Sequence, residues 1–158
     1  MGFDFPTGLL MACGRTSGLT DFRSALCAFG SGPYAQWFDV AAHLDEISIH
    51  RPFYPMRPGS TQRQHLFDAL NIKHGSDLLR QCERATADRG DGCMLFWTLG
   101  GNRAAKAAIT GWREIIIPNL DDVVLWPFDG TGEAGASETH RQLDSADAMS
   151  DATAAPPH

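Results

Sequence analysis

Residues 94 to 118, "MLFWTLGGNRAAKAAITGWREIIIP", constrain the fold more than any other stretch. The apolar run from Met94 to Thr98, bounded by turn residues, reads as a buried strand. Gly100 and Gly101 interrupt it. Asn102 is placed to cap a helix reaching Ile117, and Pro118 stops that helix. Ala105, Ala108, Ile109, Trp112 and Ile116 share one helical face, while Arg103, Lys106, Thr110 and Arg113 form a stripe beside it. Gly111 in mid-helix costs about 1 kcal/mol relative to alanine, which points to close packing there. A strand turning through glycine into an amphipathic helix is a building unit of α/β proteins.

The same junction is a candidate for phosphate chemistry. "LGGNRAAK" lacks the GxxxxGK[ST] spacing that wraps a phosphate in backbone N–H groups, and it is not GxGxxG, so Walker-type and dinucleotide-binding chemistry are both excluded. A weaker mechanism survives: free N–H groups at a helix start, close approach at two glycines, and a cationic stripe that could follow a phosphate backbone. Gly100, Gly101, Asn102, Arg103, Lys106 and Arg113 are therefore candidate phosphate or nucleic-acid contacts. The alternative is the solvated face of a helix packed on a sheet.

Upstream, the pattern is largely helical. Thr20 is placed to cap a helix from Asp21 to Phe29, with Gly30 at its C′ position and Phe22, Ala25, Leu26 and Phe29 on one face. Pro33 suits the start of another, with Tyr34, Trp37, Phe38 and Ala41 facing inward. Thr61 and Gln64 resemble a capping box opening a helix from Gln62 to Asn71, and Ser76 is placed to cap one from Asp77 to Ala87. Between them, Pro52, Pro55 and Pro58 forbid a continuous helix. That segment also holds Arg51, Arg57 and Arg63 beside Phe53 and Tyr54, with no acid between His50 and Leu66. Aromatics beside arginines suit single-stranded nucleic acid; equally, the aromatics could pin a loop to the core.

Two strands are expected near the ends, Gly2 to Phe5 and Val123 to Trp126. Asp4 and Asp129 lie at their ends. Ligands of open parallel sheets gather outside strand carboxyl ends, so these carboxylates could hold a divalent metal; as neighbours of Pro and Gly they could also simply form turns. Beyond Thr131 the chain is alanine-rich and acidic, with Leu143 and Met149 as its large apolar residues. This composition predicts a disordered tail over 131–158. The net charge of −6 comes mostly from that tail, leaving the body near neutral. Cys13, Cys27, Cys82 and Cys93 form no CxxC pair and read as buried free thiols. His50 and His65 have no ligand-spaced partner. With no apolar run long enough to span a bilayer and no secretory-type start, a cytoplasmic location without membrane partners is expected.

"GFDFPTGL", "EISIHRPFYPMRPG", "LLRQCE", "LFWTLGGNRAAKAAITGWREIIIP" and "LWPFDG", in that order, resemble the domain-of-unknown-function family 429, whose members are described as predicted nucleases of the ribonuclease-H-like fold. The likeness covers residues 2–130. It implies a mixed sheet with flanking helices and metal-dependent phosphodiester hydrolysis, in which Mg or Mn ions brace the attacking water and the leaving oxygen. Asp4 matches the family's "DFP" aspartate, an implied metal ligand, and Asp129 its "PFDG" aspartate.

The departures are specific. The family has an earlier strand with its own acidic motif, and a later strand with Glu before Tyr-Pro. Here "GASETHRQ" offers Glu138 and Thr139 without such a strand. Arg103, Ala104 and Ala105 stand where Gln-Val-Gly is expected.

The expectation is an α/β chain, an incomplete ribonuclease-H-like fold that is helix-rich with few short strands, inactive as a nuclease by itself. The alternative is a non-catalytic nucleotide or nucleic-acid binding module using the basic helix 102–117. A third reading is a fragment that self-associates through exposed sheet edges.

Overall fold

The structure, a computed structural model, describes residues 6–19, 21–125 and 128–129. The chain forms two compact units, Met1–Val123 and Val124–His158. The expected strand Gly2–Phe5, the cap Thr20 and the tail 131–158 lie outside the described residues, as do Glu138 and Thr139.

Aromatic side chains organise the core of the first unit. Helix α1 (Met11–Ser17) closes at Gly18, whose φ of 74° lies in the left-handed region. Helix α2 (Phe22–Ala28) begins at Asp21, whose carboxylate accepts the Ser24 N–H at 2.7 Å. The expected inward face is buried at Phe22, Ala25, Leu26 and Phe29, and Gly30 (φ 85°) follows the C-cap. Phe29 stacks on Trp37 with centroids 3.9 Å apart, and Phe22 meets Trp112 edge-on at 5.2 Å. Trp37 reaches Phe96, and Phe96 reaches Phe53, both edge-on. Rings of this size carry much of a core's buried area.

Strand structure is scarce, and the prolines explain why. Tyr54 donates its N–H to the Phe96 carbonyl (2.9 Å) and accepts from the Thr98 N–H (3.0 Å), which makes one parallel bridge between Tyr54 and Trp97. On the other side, Ala41 donates to Phe53 (2.7 Å) and accepts from Met56 (2.8 Å). Pro52 and Pro55 have no N–H to offer, so the ladder cannot extend along this segment. The expected strand Met94–Thr98 is thus reduced to one bridge. Among the described residues the other bridges, Ser48 to Arg51 and Thr86 to Arg89, each close a tight turn. The described chain is helix-rich with almost no strand.

Other expectations need correction. Pro33 opens only a 3-10 turn, Gly32–Tyr34, although Trp37, Phe38 and Ala41 are buried as expected. Helix α3 is short (Gln64–Ala69), and no side chain caps its start. Residues 77–87 form no helix. They make 3-10 turns at Gly75–Leu78 and Gln81–Glu83, because Arg80 and Glu83 direct their bonds to partners outside a helical ladder. Residues 123–125 are not a strand.

The last helix matches its pattern best. Helix α4 (Ala104–Thr110) continues as a π turn, Gly111–Ile116, and a 3-10 turn, Ile117–Asn119. Ala105, Ala108, Ile109, Trp112 and Ile116 are all buried, while Arg103, Lys106, Thr110 and Arg113 are all exposed. The pitch changes at Gly111, which is itself buried. The Trp112 indole N–H donates to the Pro6 carbonyl, tying this helix to the start of the described chain. No helix among the described residues is long and apolar enough to cross a membrane.

Candidate functional site

The glycine junction is built by one side chain working in two directions. Asn102 accepts the Ala104 N–H through Oδ1 (3.0 Å) and donates from Nδ2 to the Met94 carbonyl (2.7 Å). The amide therefore closes a turn just ahead of Arg103, which is the helix's N-cap and makes no side-chain cap bond, and it also ties the loop back to Met94. Gly100, at φ 74°, supplies the left-handed turn that an ordinary residue would strain to adopt. A cleft of about 490 Å³ opens beside this loop. Gly100, Gly101, Asn102 and Trp97 line one part of it, with Arg63 and Asp91 among the other lining residues.

Arg63 is exposed, and its guanidinium carbon lies 5.8 Å from the Trp97 ring centroid. This distance is within cation–π range. Asp91 accepts the Ala85 N–H at 2.8 Å, so part of its acceptor capacity is already used. Arg103 directly follows the cleft residue Asn102, and Lys106 lies one helical turn further on. Arg113 differs from these two: it pairs with Glu114 at 2.9 Å, which offsets its charge. Gly100, Gly101 and Asn102 line the cleft, Arg103 and Lys106 follow them in the chain without lining it, and Arg113 stands apart electrostatically.

Of the two expected carboxylates, Asp4 falls outside the described residues and the other belongs to the second unit. Asp129, in the second unit, accepts the Leu125 N–H at 2.8 Å, the turn-forming behaviour expected of an aspartate before glycine. Among the described residues no group of three or more His, Cys, Asp or Glu side chains could hold a metal ion.

The proline-rich segment also divides. Phe53 and Tyr54 are buried, so they pin the loop to the core and offer no face to a base. Arg51 pairs with Glu46 at 3.2 Å and donates to the Val40 carbonyl. Sequence reasoning does not reach Trp97 as a partner of Arg63. The signal is weak, since the two residues are 34 positions apart.

The thiols depart from expectation as well. Only Cys13 is buried, and burial pushes its pKa up to about 12; Cys27, Cys82 and Cys93 are exposed. Cys93 lines the cleft.

Comparison with protein-family models, curated proteins and solved structures finds no match to this chain. The likeness to family 429 thus rests on the motifs quoted above.

Proposed function

We propose that this chain is a non-catalytic module that binds a nucleotide or single-stranded nucleic acid at the Gly100–Asn102 cleft. One observation carries this reading: a guanidinium within cation–π range of an indole beside a glycine-floored cleft, with two exposed cations at the adjoining helix start. The outer face of the Arg63 guanidinium offers a planar cation for a base, as arginine does in single-strand grooves. Glycine backbone permits close approach of a phosphate, and Arg103 and Lys106 supply the attraction that phosphate contacts need. The ribonuclease-H-like lineage implied by the resemblance fits a nucleic-acid ligand. Hydrolysis would additionally need Asp4 and further carboxylates, so we assign no catalysis to this chain.

The test is fluorescence-anisotropy titration of a labelled oligonucleotide, with a mononucleotide as competitor. Binding should weaken with salt, and replacing Arg103 and Lys106 by glutamine should reduce the salt slope by about one for each phosphate no longer neutralised. Arg63→Gln should lower affinity for a base-bearing ligand more than for inorganic phosphate. Affinity unchanged in the Arg103, Lys106 and Arg63 variants would sink the proposal. Magnesium-dependent cleavage abolished by Asp4→Asn would replace it with the nuclease reading.

A further inference from the structure

The arginine that the cleft leaves unused belongs to a second pocket. It measures about 350 Å³ and is lined by the 42–44 turn, the 57–61 loop, Tyr54 and His65. Its ionisable lining residues are His43, Arg57, His65 and Tyr54; none is a carboxylate. Ser60 and Thr61 add hydroxyls, and Gly59 adds a backbone without a side chain. The nearest element does carry an acid, Glu46. That carboxylate is engaged by the N–H groups of Ala42 (2.6 Å) and His43 (3.0 Å) and by Arg51.

His65 has a defined donor. Its Nδ1 lies 2.9 Å from the Tyr54 hydroxyl and 3.5 Å from the Gln62 backbone nitrogen. A backbone N–H can only donate, so Nδ1 is the acceptor and the ring proton resides on Nε2. Burial raises the Tyr54 pKa above its ordinary value of 10.0, which keeps that hydroxyl protonated and able to donate. Arg57 is exposed and takes part in no hydrogen bond or ion pair among the described residues. Its charge is therefore uncommitted, in contrast to Arg51 and Arg80.

We infer that this pocket binds a phosphate-type oxyanion through the Arg57 guanidinium, the His65 ring N–H and the hydroxyls of Ser60 and Thr61. A guanidinium combined with hydroxyl and ring donors suits a tetrahedral anion with several oxygens, and charge-assisted bonds of this kind are the strong ones. The inference is independent of the cleft reading, since the two pockets share no lining residue.

The experiment is a titration of the full chain with inorganic phosphate, and separately with phenyl phosphate, read by backbone and histidine NMR shifts. Saturable shifts are expected at Gly59, Ser60, Thr61 and His65. Arg57→Gln should weaken phosphate binding about tenfold or more, and Arg57→Lys should retain part of the affinity. Unperturbed spectra outside the loop would show that Arg57→Gln folds, as the exposure of Arg57 predicts. Tighter binding of phenyl phosphate would assign the anion to an organic monoester, and equal binding to the free ion; either supports the site. An absence of saturable shifts at millimolar phosphate, or an affinity unchanged by Arg57→Gln, would overturn it. So would shifts confined to residues 100–106, which would support the cleft reading alone.

Discussion

Of the helices expected over 77–87 and 102–117, only the second forms. The difference lies in where each segment's polar groups find partners. From 104 to 119 every large apolar residue of the expected arc points inward and every cation outward, so local hydrogen bonds and burial agree. In 77–87, Leu78 and Leu79 are buried too, so burial alone does not separate the two segments. Arg80 and Glu83 settle the outcome. Arg80 donates to Glu83 at 2.7 Å and to the Thr7 carbonyl at 2.8 Å, while Glu83 reaches back to the Arg80 N–H. Gly92 then donates its N–H to the Glu83 carbonyl at 2.7 Å. Tertiary bonds displace the helical ladder.

The sharpest way to break this contrast is at Trp112. It is fully buried, meets Phe22 and Phe29, and donates to Pro6. Trp112→Ala should cost about 3–5 kcal/mol, read as a shift in the urea midpoint. A loss below about 1 kcal/mol would mean that the apolar arc does not anchor this helix.

On the other side, Arg80→Met should cost about 2–3 kcal/mol, because Glu83 would be left without its partner in a nearly buried setting. The two side chains are only 12% and 11% exposed. A double-mutant cycle with Glu83→Gln should show coupling, and far-UV circular dichroism should show no gain of helix. An increase in helix would mean that the ion pair suppresses a latent helix, and would narrow the contrast to this pair alone.

How much is legible in the sequence follows the same division. The helix arc and its cationic stripe can be read from spacing, and so can the inward faces of α2 and of residues 37–41. Helix α1 escapes such a reading, although Leu10 and Cys13 are buried three apart and Gly18 closes it, because the apolar signal is short. The segment 94–98 is buried as its composition implies, but its partner is a proline-bearing loop, so pairing stops after one bridge. The cleft is half visible: its glycines and Asn102 stand out at the junction, while Arg63 over Trp97 depends on a fold that spacing could not supply. The loop pocket is visible only as a run of cations without acids.

Asn102 tests the junction on a smaller scale. Asn102→Ala removes both the bond from the Ala104 N–H and the bond to Met94, and should cost about 1–2 kcal/mol in urea unfolding. Asn102→Asp keeps an acceptor for Ala104 but loses the Nδ2 donor to Met94, so it should recover the Ala104 part alone. If Asn102→Asp were no more stable than Asn102→Ala, the loop closure and not the Ala104 bond would be the contribution that matters.

Glu46 extends the comparison to a milder case. It ends a 3-10 turn, Leu44–Glu46, reaches back to the His43 N–H as Glu83 does to Arg80, and likewise has an arginine partner. The N–H groups of His43 and Ala42, and then Arg51, hold its carboxyl below the ordinary value of 4.5. A carboxyl depressed on folding adds stability that is complete above its unfolded value and is lost as pH falls through the folded value. Glu46→Gln should therefore be destabilised relative to the parent at neutral pH, and the gap should close on acidification below the ordinary glutamate range. Asp21 is depressed by its bond to Ser24 and contributes an acid-sensitive loss of the same sign, so the parent curve alone cannot isolate Glu46. The difference between parent and Glu46→Gln can, because Asp21 is common to both. A gap that stayed constant with pH would show that the turn at 44–46 is held by its backbone and not by its carboxylate, unlike the turn held by the buried pair at 80 and 83.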